Sequence, residues 1–220
     1  MKKPILFSAP MVRAILSGAK TQTRRVAPIE DFSVRDIGDG MVAWRIGFAK
    51  PMGKARVISS HSGGKWTREQ AASIVASQFC PYGRPGDLLW VREAWRTTAA
   101  YDRWAPRDLH GNVALHYEAD GRPSGHLCMG RLRASMHLPR AASRITLEVT
   151  GVRVERLQDI SDTDAFAEGI QQCVDEGLVS DGTARGTYRA LWESINGPSS
   201  WATNPWVWVV EFRIAHRSGE

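Results

Sequence analysis

Lys20, Thr21, Thr23, Arg24 and Arg25 lie within six residues, directly after Ser17-Gly18-Ala19. An amine, two hydroxyls and two guanidiniums at this spacing offer a base, nucleophiles and forked donors for carboxylate or phosphate. Amide hydrolysis calls for such a set: an oxygen nucleophile, a group to take its proton, and stabilisation of the developing oxyanion. Thr23 offers the oxygen. Lys20 serves as base only where burial and neighbouring cations, here Arg24 and Arg25, depress its pKa towards neutrality. The same residue types also occur where a helix merely ends, because cations favour a helix C-terminus and the solvent beyond it. Spacing alone does not assign the chemistry, and the elements that carry these residues decide more.

Residues 11–16 form a short amphipathic segment entered from Ser8-Ala9-Pro10. Ser8 suits a helix cap, Pro10 suits the first turn, and Gly18 suits the left-handed residue past the helix end. Residues 21–26 alternate like a strand. In a straight strand, positions 20 and 23 face opposite ways, so they converge only if the turn after Gly18 continues through about Thr21.

Residues 4–7 read as a first strand. Residues 27–84 read as a Gly-rich, weakly periodic insertion, with strand candidates at 42–46 and 55–58 and a capped helix over 67–79. Cys80-Pro81-Tyr82-Gly83-Arg84-Pro85-Gly86-Asp87 is dense turn chemistry, followed by a buried strand from Leu88 to Trp95. A second insertion, 97–137, carries a strand candidate at 113–117. Residues 143–157 form the longest strand-like run, with Gly151 marking a bulge or bend. Ser161, with Asp164 three residues on, opens a short helix that closes at Gly169. Tyr188, Leu191, Trp192 and Ile195 make one helical stripe, and residues 206–214 alternate as a last strand. The whole reads as a single α+β domain over 1–220, a small curled sheet or barrel with flanking helices and two insertions.

A hydrophobic share of 43% and a charged share of 24% fit a globular protein with a substantial core. No run of eighteen apolar residues occurs, and the apolar part of the N-terminus is short for a signal peptide, so a cytoplasmic protein without a membrane partner is expected. Cys80, Cys128 and Cys173 include no C-x-x-C pair. His126-x-Cys128 with Cys80 lacks a fourth ligand at fitting spacing, so no metal is expected. No phosphate-cradling Gly-rich loop is present, and no cofactor is expected. The net charge of +6, carried largely by arginines, favours an acidic partner such as nucleic acid. Of nine tryptophans, Trp90, Trp95, Trp192, Trp206 and Trp208 sit in apolar patterns expected in the core. Trp44, Trp66, Trp104 and Trp201 sit in polar surroundings from which one could stack on a base.

Gly18-x-Lys20-Thr21-x-Thr23-x-Arg25, Pro85-Gly86-Asp87-x-Leu89-x-Val91, and Ile145-x-Leu147-x-Val149 leading to Ala165-x-x-Glu168-Gly169 together resemble the ASCH domain. Met136-His137-Leu138-Pro139-Arg140 and the tail from Leu191-Trp192 through Asn204-Pro205-Trp206 to Phe212 resemble its larger, phage- and prophage-associated branch. The resemblance implies a PUA-like β-barrel and a cleft beside it that binds RNA or a modified nucleoside. A small ASCH enzyme removes the acetyl group from the exocyclic amine of acetylated cytidine with a Lys, a Thr three residues later, and a Glu in the helix after the long strand. That set falls on Lys20, Thr23 and Glu168. Glu168 would orient Lys20, hold the cytosine amine or carry a proton to the leaving group.

Around it, Arg24, Arg25, Glu93, Arg140 and Arg144 are candidates for holding substrate or nucleic acid, with Glu93 expected to pair with Arg25 or Arg144. Asn204 and Trp206 are candidates for the cleft wall, and His137 is read as structural. The competing expectations are a non-catalytic RNA- or base-binding module with the same cleft, and a ribonuclease in which Lys20 and Glu168 form the acid/base pair.

Overall fold

The computed structural model of the chain describes residues 2–38, 41–48, 56–59, 76, 78–109, 113–121, 128–171 and 183–217. In chain order these form β1 (Lys2–Leu6), α1 (Ala9–Leu16), β2 (Gln22–Val26), β3 (Ile29–Gly38), β4 (Met41–Phe48), β5 (Arg56–Ser59) and β6 (Leu88–Arg92). Then come β7 (Trp95–Arg96), β8 (His116–Tyr117), β9 (Ile145–Arg156), α2 (Asp162–Ala167), α3 (Ala184–Asn196) and β10 (Trp206–Arg217). Short 3₁₀ turns fill several connections.

The main sheet has the order β1-β6-β9-β10-β2, with β1 parallel to β6 and the other pairs antiparallel. β1 and β2 are its two ends, so the sheet is open and the expectation of a closed barrel is corrected. The reason lies at β2. Just ahead of that strand Lys20 bridges Glu168, and the Thr21 N–H donates to the Ala167 carbonyl at 2.9 Å. Residues 167 and 168 thus flank the approach to β2, and no described strand pairs with its outer edge. The coarser expectation, mixed α and β, holds.

β9 and β10 are the longest pair and position everything else. Glu211 lies opposite Gly151 and Phe212 opposite Val149, which leaves Thr150 as the extra residue of a bulge where the glycine suggested one. The bulge resets the alternation. Ile145, Leu147 and Val149 before it, and Val152 and Val154 after it, all reach the same core beneath α1. β10 is apolar on both faces. Trp206, Trp208, Val210 and Phe212 join that first core, while Val207 and Val209 join a second one with Leu157, Ile160, Ala165, Ile170, Tyr188, Trp192 and Trp201. Full burial of each such side chain contributes about 1.5–3 kcal/mol, which is why α2 and α3 stay pressed on this strand.

The helices follow their sequence signals in most respects. Ser161 Oγ accepts from the Asp164 N–H, and Thr183 Oγ1 accepts from the Gly186 N–H at the start of α3. Ser8 is extended ahead of α1 but makes no side-chain cap; Pro10 sits in the first turn, and Gly18 has φ +78° past the end. The five tryptophans expected in the core are buried, and Trp201 is buried too, in the second core; Trp104 is half exposed. Residues 29–59 hold a three-stranded antiparallel sheet, β3-β4-β5. The sequence does not signal β3, because Glu30, Asp31, Arg35 and Asp36 interrupt its pattern. The strand expected at 113–117 is only His116–Tyr117, paired with β7. The helix expected over 67–79 lies mostly outside the described residues, as do Trp66, His126 and Cys173.

Candidate functional site

Gly169 explains how distant parts of the chain meet. Its φ is +83°, and a Cβ there would lie 2.9 Å from the Ala14 Cβ and 3.0 Å from the Lys20 Cβ. Only glycine lets the chain leaving α2 press onto α1 and the turn after Gly18. The main chain then ties in, with the Lys20 N–H donating to the Ala14 carbonyl at 2.9 Å. The turn is confined to Ser17 and Gly18 and does not continue through Thr21; Lys20 forms an isolated bridge with Glu168, and the strand starts at Gln22.

Lys20 is fully enclosed. Its Nζ donates to Glu168 Oε2 at 2.7 Å and to the Glu168 carbonyl at 2.8 Å. Burial pushes the Lys20 ammonium below its ordinary value; Glu168 opposes that shift, and Arg25 and Arg24 add to it. The other Glu168 oxygen accepts from Arg24 Nη1 at 3.0 Å. The carboxylate thus lies between two cations, whose attraction and hydrogen bonds offset the cost of burying the charge.

Arg24 differs from expectation. Its side chain has 0% exposure and is spent on three carboxylates: Glu155 at 2.5 Å, Glu168 at 3.0 Å and Asp164 at 3.1 Å. Burial alone would lower its pKa, but Glu168 and Glu155 hold the guanidinium above its ordinary value. The expectation of a substrate-binding Arg24 side chain is corrected: it anchors the site from behind. Asp164 is capped through its N–H by Ser161, as expected, and directs its carboxylate to Arg24, Arg153 and Gln22. Arg153 also bonds Glu155 and Glu211. Burial disfavours the Asp164 charge, yet Arg153 and Arg24 hold its carboxyl below the usual range.

In front of this charged layer is an open hollow of about 420 Å³, solvent space included. Thr23, Arg24 and Arg25 of β2, Glu168 and the α3 residues Tyr188 and Trp192 line it, with Met11 and Ile195 adding apolar surface. Thr23 and Glu168 therefore share one cavity, while the Lys20 ammonium sits behind Glu168. Arg25 lies over the Phe7 ring at 5.3 Å and donates to the Leu6 carbonyl at 2.6 Å, beside the opening. Burial, reinforced by Glu168, raises the Tyr188 phenol well above its ordinary pKa, and its ring carries Arg24 at 5.9 Å.

The remaining candidates lie elsewhere. Glu93 and Arg144 form a two-pronged ion pair at 2.8 and 2.9 Å, one of the two pairings expected for Glu93, and Arg144 also holds Asp120. Neither lines the hollow, and that pair reads as structural. Arg140 is exposed in a 3₁₀ turn and His137 is exposed in another. Asn204 does not wall the cleft: its Oδ1 accepts from the Gln158 N–H and its carbonyl from Arg156. Trp206 belongs to the first core. Tyr188 and Trp192 are the site residues that sequence reasoning treats only as a helix stripe; their signal is an aromatic pair at i, i+4 on a face otherwise built of Leu and Ile. Among the described residues, no group of three His, Cys, Asp or Glu is placed to hold a metal, and no described helix is long and apolar enough to cross a membrane.

No protein-family model matches the chain, and neither a curated protein nor a solved structure matches it.

Proposed function

We propose that this chain is an ASCH-type, PUA-like protein that binds a modified nucleoside, free or within RNA, in the hollow between β2 and α3. We propose further that it hydrolyses the N-acyl bond of acetylated cytidine there. The observation that carries the reading is the contact of Lys20 with Glu168, 148 residues apart, behind a hollow that Glu168 and Thr23 both line. In this scheme the Thr23 oxygen adds to the acyl carbon and its proton passes to the Lys20–Glu168 pair. The pair returns the proton to the cytosine nitrogen as the C–N bond breaks. Water then hydrolyses the Thr23 ester, releasing acetate. Burial of Lys20 supports the first step, since it lowers the cost of a neutral amine.

Mass spectrometry of a modified-nucleoside panel tests this. Acetylcytidine converts to cytidine and acetate with the wild type, and neither Thr23→Ala nor Lys20→Ala turns over. A second reading draws on the enclosure of Lys20 behind Glu168: a module that binds a base or RNA without turnover. It gives affinity that survives Thr23→Ala and falls steeply with salt, with no product. A ribonuclease would instead shorten RNA and lose that activity in Glu168→Gln.

A further inference from the structure

Trp104, one of the tryptophans set in polar surroundings, stands 50% exposed on a turn of the second insertion. That turn is anchored from beneath. Arg133, itself 5% exposed, donates through Nη1 to the Trp104 carbonyl at 2.9 Å and through Nη2 to the Tyr101 carbonyl at 2.6 Å. Its guanidinium lies over the buried Trp95 ring at 5.1 Å. Two residues earlier, the Arg131 N–H donates to the Asp102 carboxylate at 2.9 Å. The turn also closes on itself, with the Tyr101, Asp102 and Trp104 N–H groups donating to the carbonyls of Thr98, Ala99 and Tyr101. The backbone that carries the indole is thus held in place, so little ordering is left for a partner to impose. Tyr101 meets the indole at 69°, and among the described residues no ring or cation lies flat on it.

Charge around the turn is unequal. The acids of this insertion are engaged: Asp102 by the Arg131 peptide, Asp108 by Arg107 at 3.7 Å, Glu118 by Arg96 at 3.1 Å and Asp120 by Arg144 at 2.7 Å. The arginines next to the indole are not. Arg103 and Arg131 are exposed, and among the described residues neither guanidinium has a hydrogen-bond or ion-pair partner. Trp104 therefore presents an apolar ring between two uncommitted cations, on a chain of net charge +6. A nucleic-acid strand offers the matching groups at short intervals, a planar base for the indole and phosphates for the guanidinium forks. A duplex keeps its base faces inside its own stack, so the fit is to a single strand. None of these residues lines the hollow.

We propose that this face binds a single strand of nucleic acid, with an unpaired base stacked on Trp104 and phosphates held by Arg103 and Arg131. The inference rests on the nucleoside-binding reading above in one respect: it makes the substrate a strand rather than a free nucleoside. RNA and DNA carry the same two groups, and the experiment has an arm for each.

Fluorescence anisotropy tests it, with short labelled single strands of RNA and DNA and the matching RNA duplex titrated by the wild type at rising salt. Single strands bind more tightly than the duplex, and the tighter of the two identifies the strand that the face serves. Trp104→Ala weakens strand binding about tenfold, the scale of one lost base stack, whereas Trp104→Phe keeps most of it. Arg103→Gln with Arg131→Gln flattens the logarithmic salt dependence by about 0.7 per arginine. Thermal unfolding of these variants matches the wild type, since the side chains are exposed, and free acetylcytidine is handled as by the wild type. Strand binding that is absent, unchanged in Trp104→Ala or no tighter than duplex binding overturns the proposal, whatever the hollow does with free nucleosides. A dimer seen by sedimentation and lost in Trp104→Ala also overturns it, because the face is then an interface between copies. Strand binding that depends on Trp104, with free acetylcytidine neither bound nor converted, upholds this face and ends the reading of the hollow instead.

Discussion

Lys20 is held between the side chain and the carbonyl of Glu168, so removing its amine strands a carboxylate whose remaining side-chain partner is Arg24. Breaking a buried pair from one side costs about 3–5 kcal/mol. Urea unfolding of Lys20→Met should show a loss on that scale, whereas Thr23→Ala should lose turnover with little change in stability. Gly169→Ala is the companion case. The added Cβ meets Ala14 and Lys20 at a positive φ, and a loss of about 1–3 kcal/mol is expected, read from the same denaturant curves. The Lys20–Glu168 meeting was legible through the motif resemblance, whose Glu-Gly step has a physical cause in the tight approach of Gly169. The role of Arg24 was not legible. Two adjacent arginines look alike in sequence, and the carboxylates that enclose one of them, Glu155 and Asp164, lie 131 and 140 residues away.

α2 is only six residues long, yet three of its groups fix the site: the Ser161 cap at its start, the Asp164 carboxylate and the Glu168 cap at its end. Because Arg153 and Arg24 lower the folded-state pKa of Asp164, its stabilising contribution is present above the unfolded value of 3.8. It is lost as pH falls through the lower folded value. Asp164→Asn should therefore be less stable than the wild type at pH 7, and the gap should narrow as unfolding is followed from pH 4 towards pH 2. Helix ends were readable from Ser161, Gly18 and Gly169, and the β9 bulge from Gly151, since these depend on local backbone chemistry; the Thr183 start of α3 was not. Closure of the sheet was not readable, because alternation within β1 and β2 does not say whether two end strands far apart in sequence pair.

At the scale of the whole molecule, the sheet holds two apolar layers apart, and Cys80 lies in the first of them. Burial raises its thiol from 9.0 to about 11, despite bonds from the Tyr82 and Gly83 peptides that act the other way. The unfolded chain ionises first, so this group's contribution is present below pH 9 and is lost as pH rises towards 11. Thermal unfolding of Cys80→Ala should accordingly decline less steeply over that interval than the wild type. β10 has a different consequence. From Trp206 to Val210 it is clasped from above and below, so amides 207 to 210 should be the last to take up deuterium. The wall of the hollow that carries Thr23 and Arg24 is paired with those residues, so its amides should exchange slowly with them.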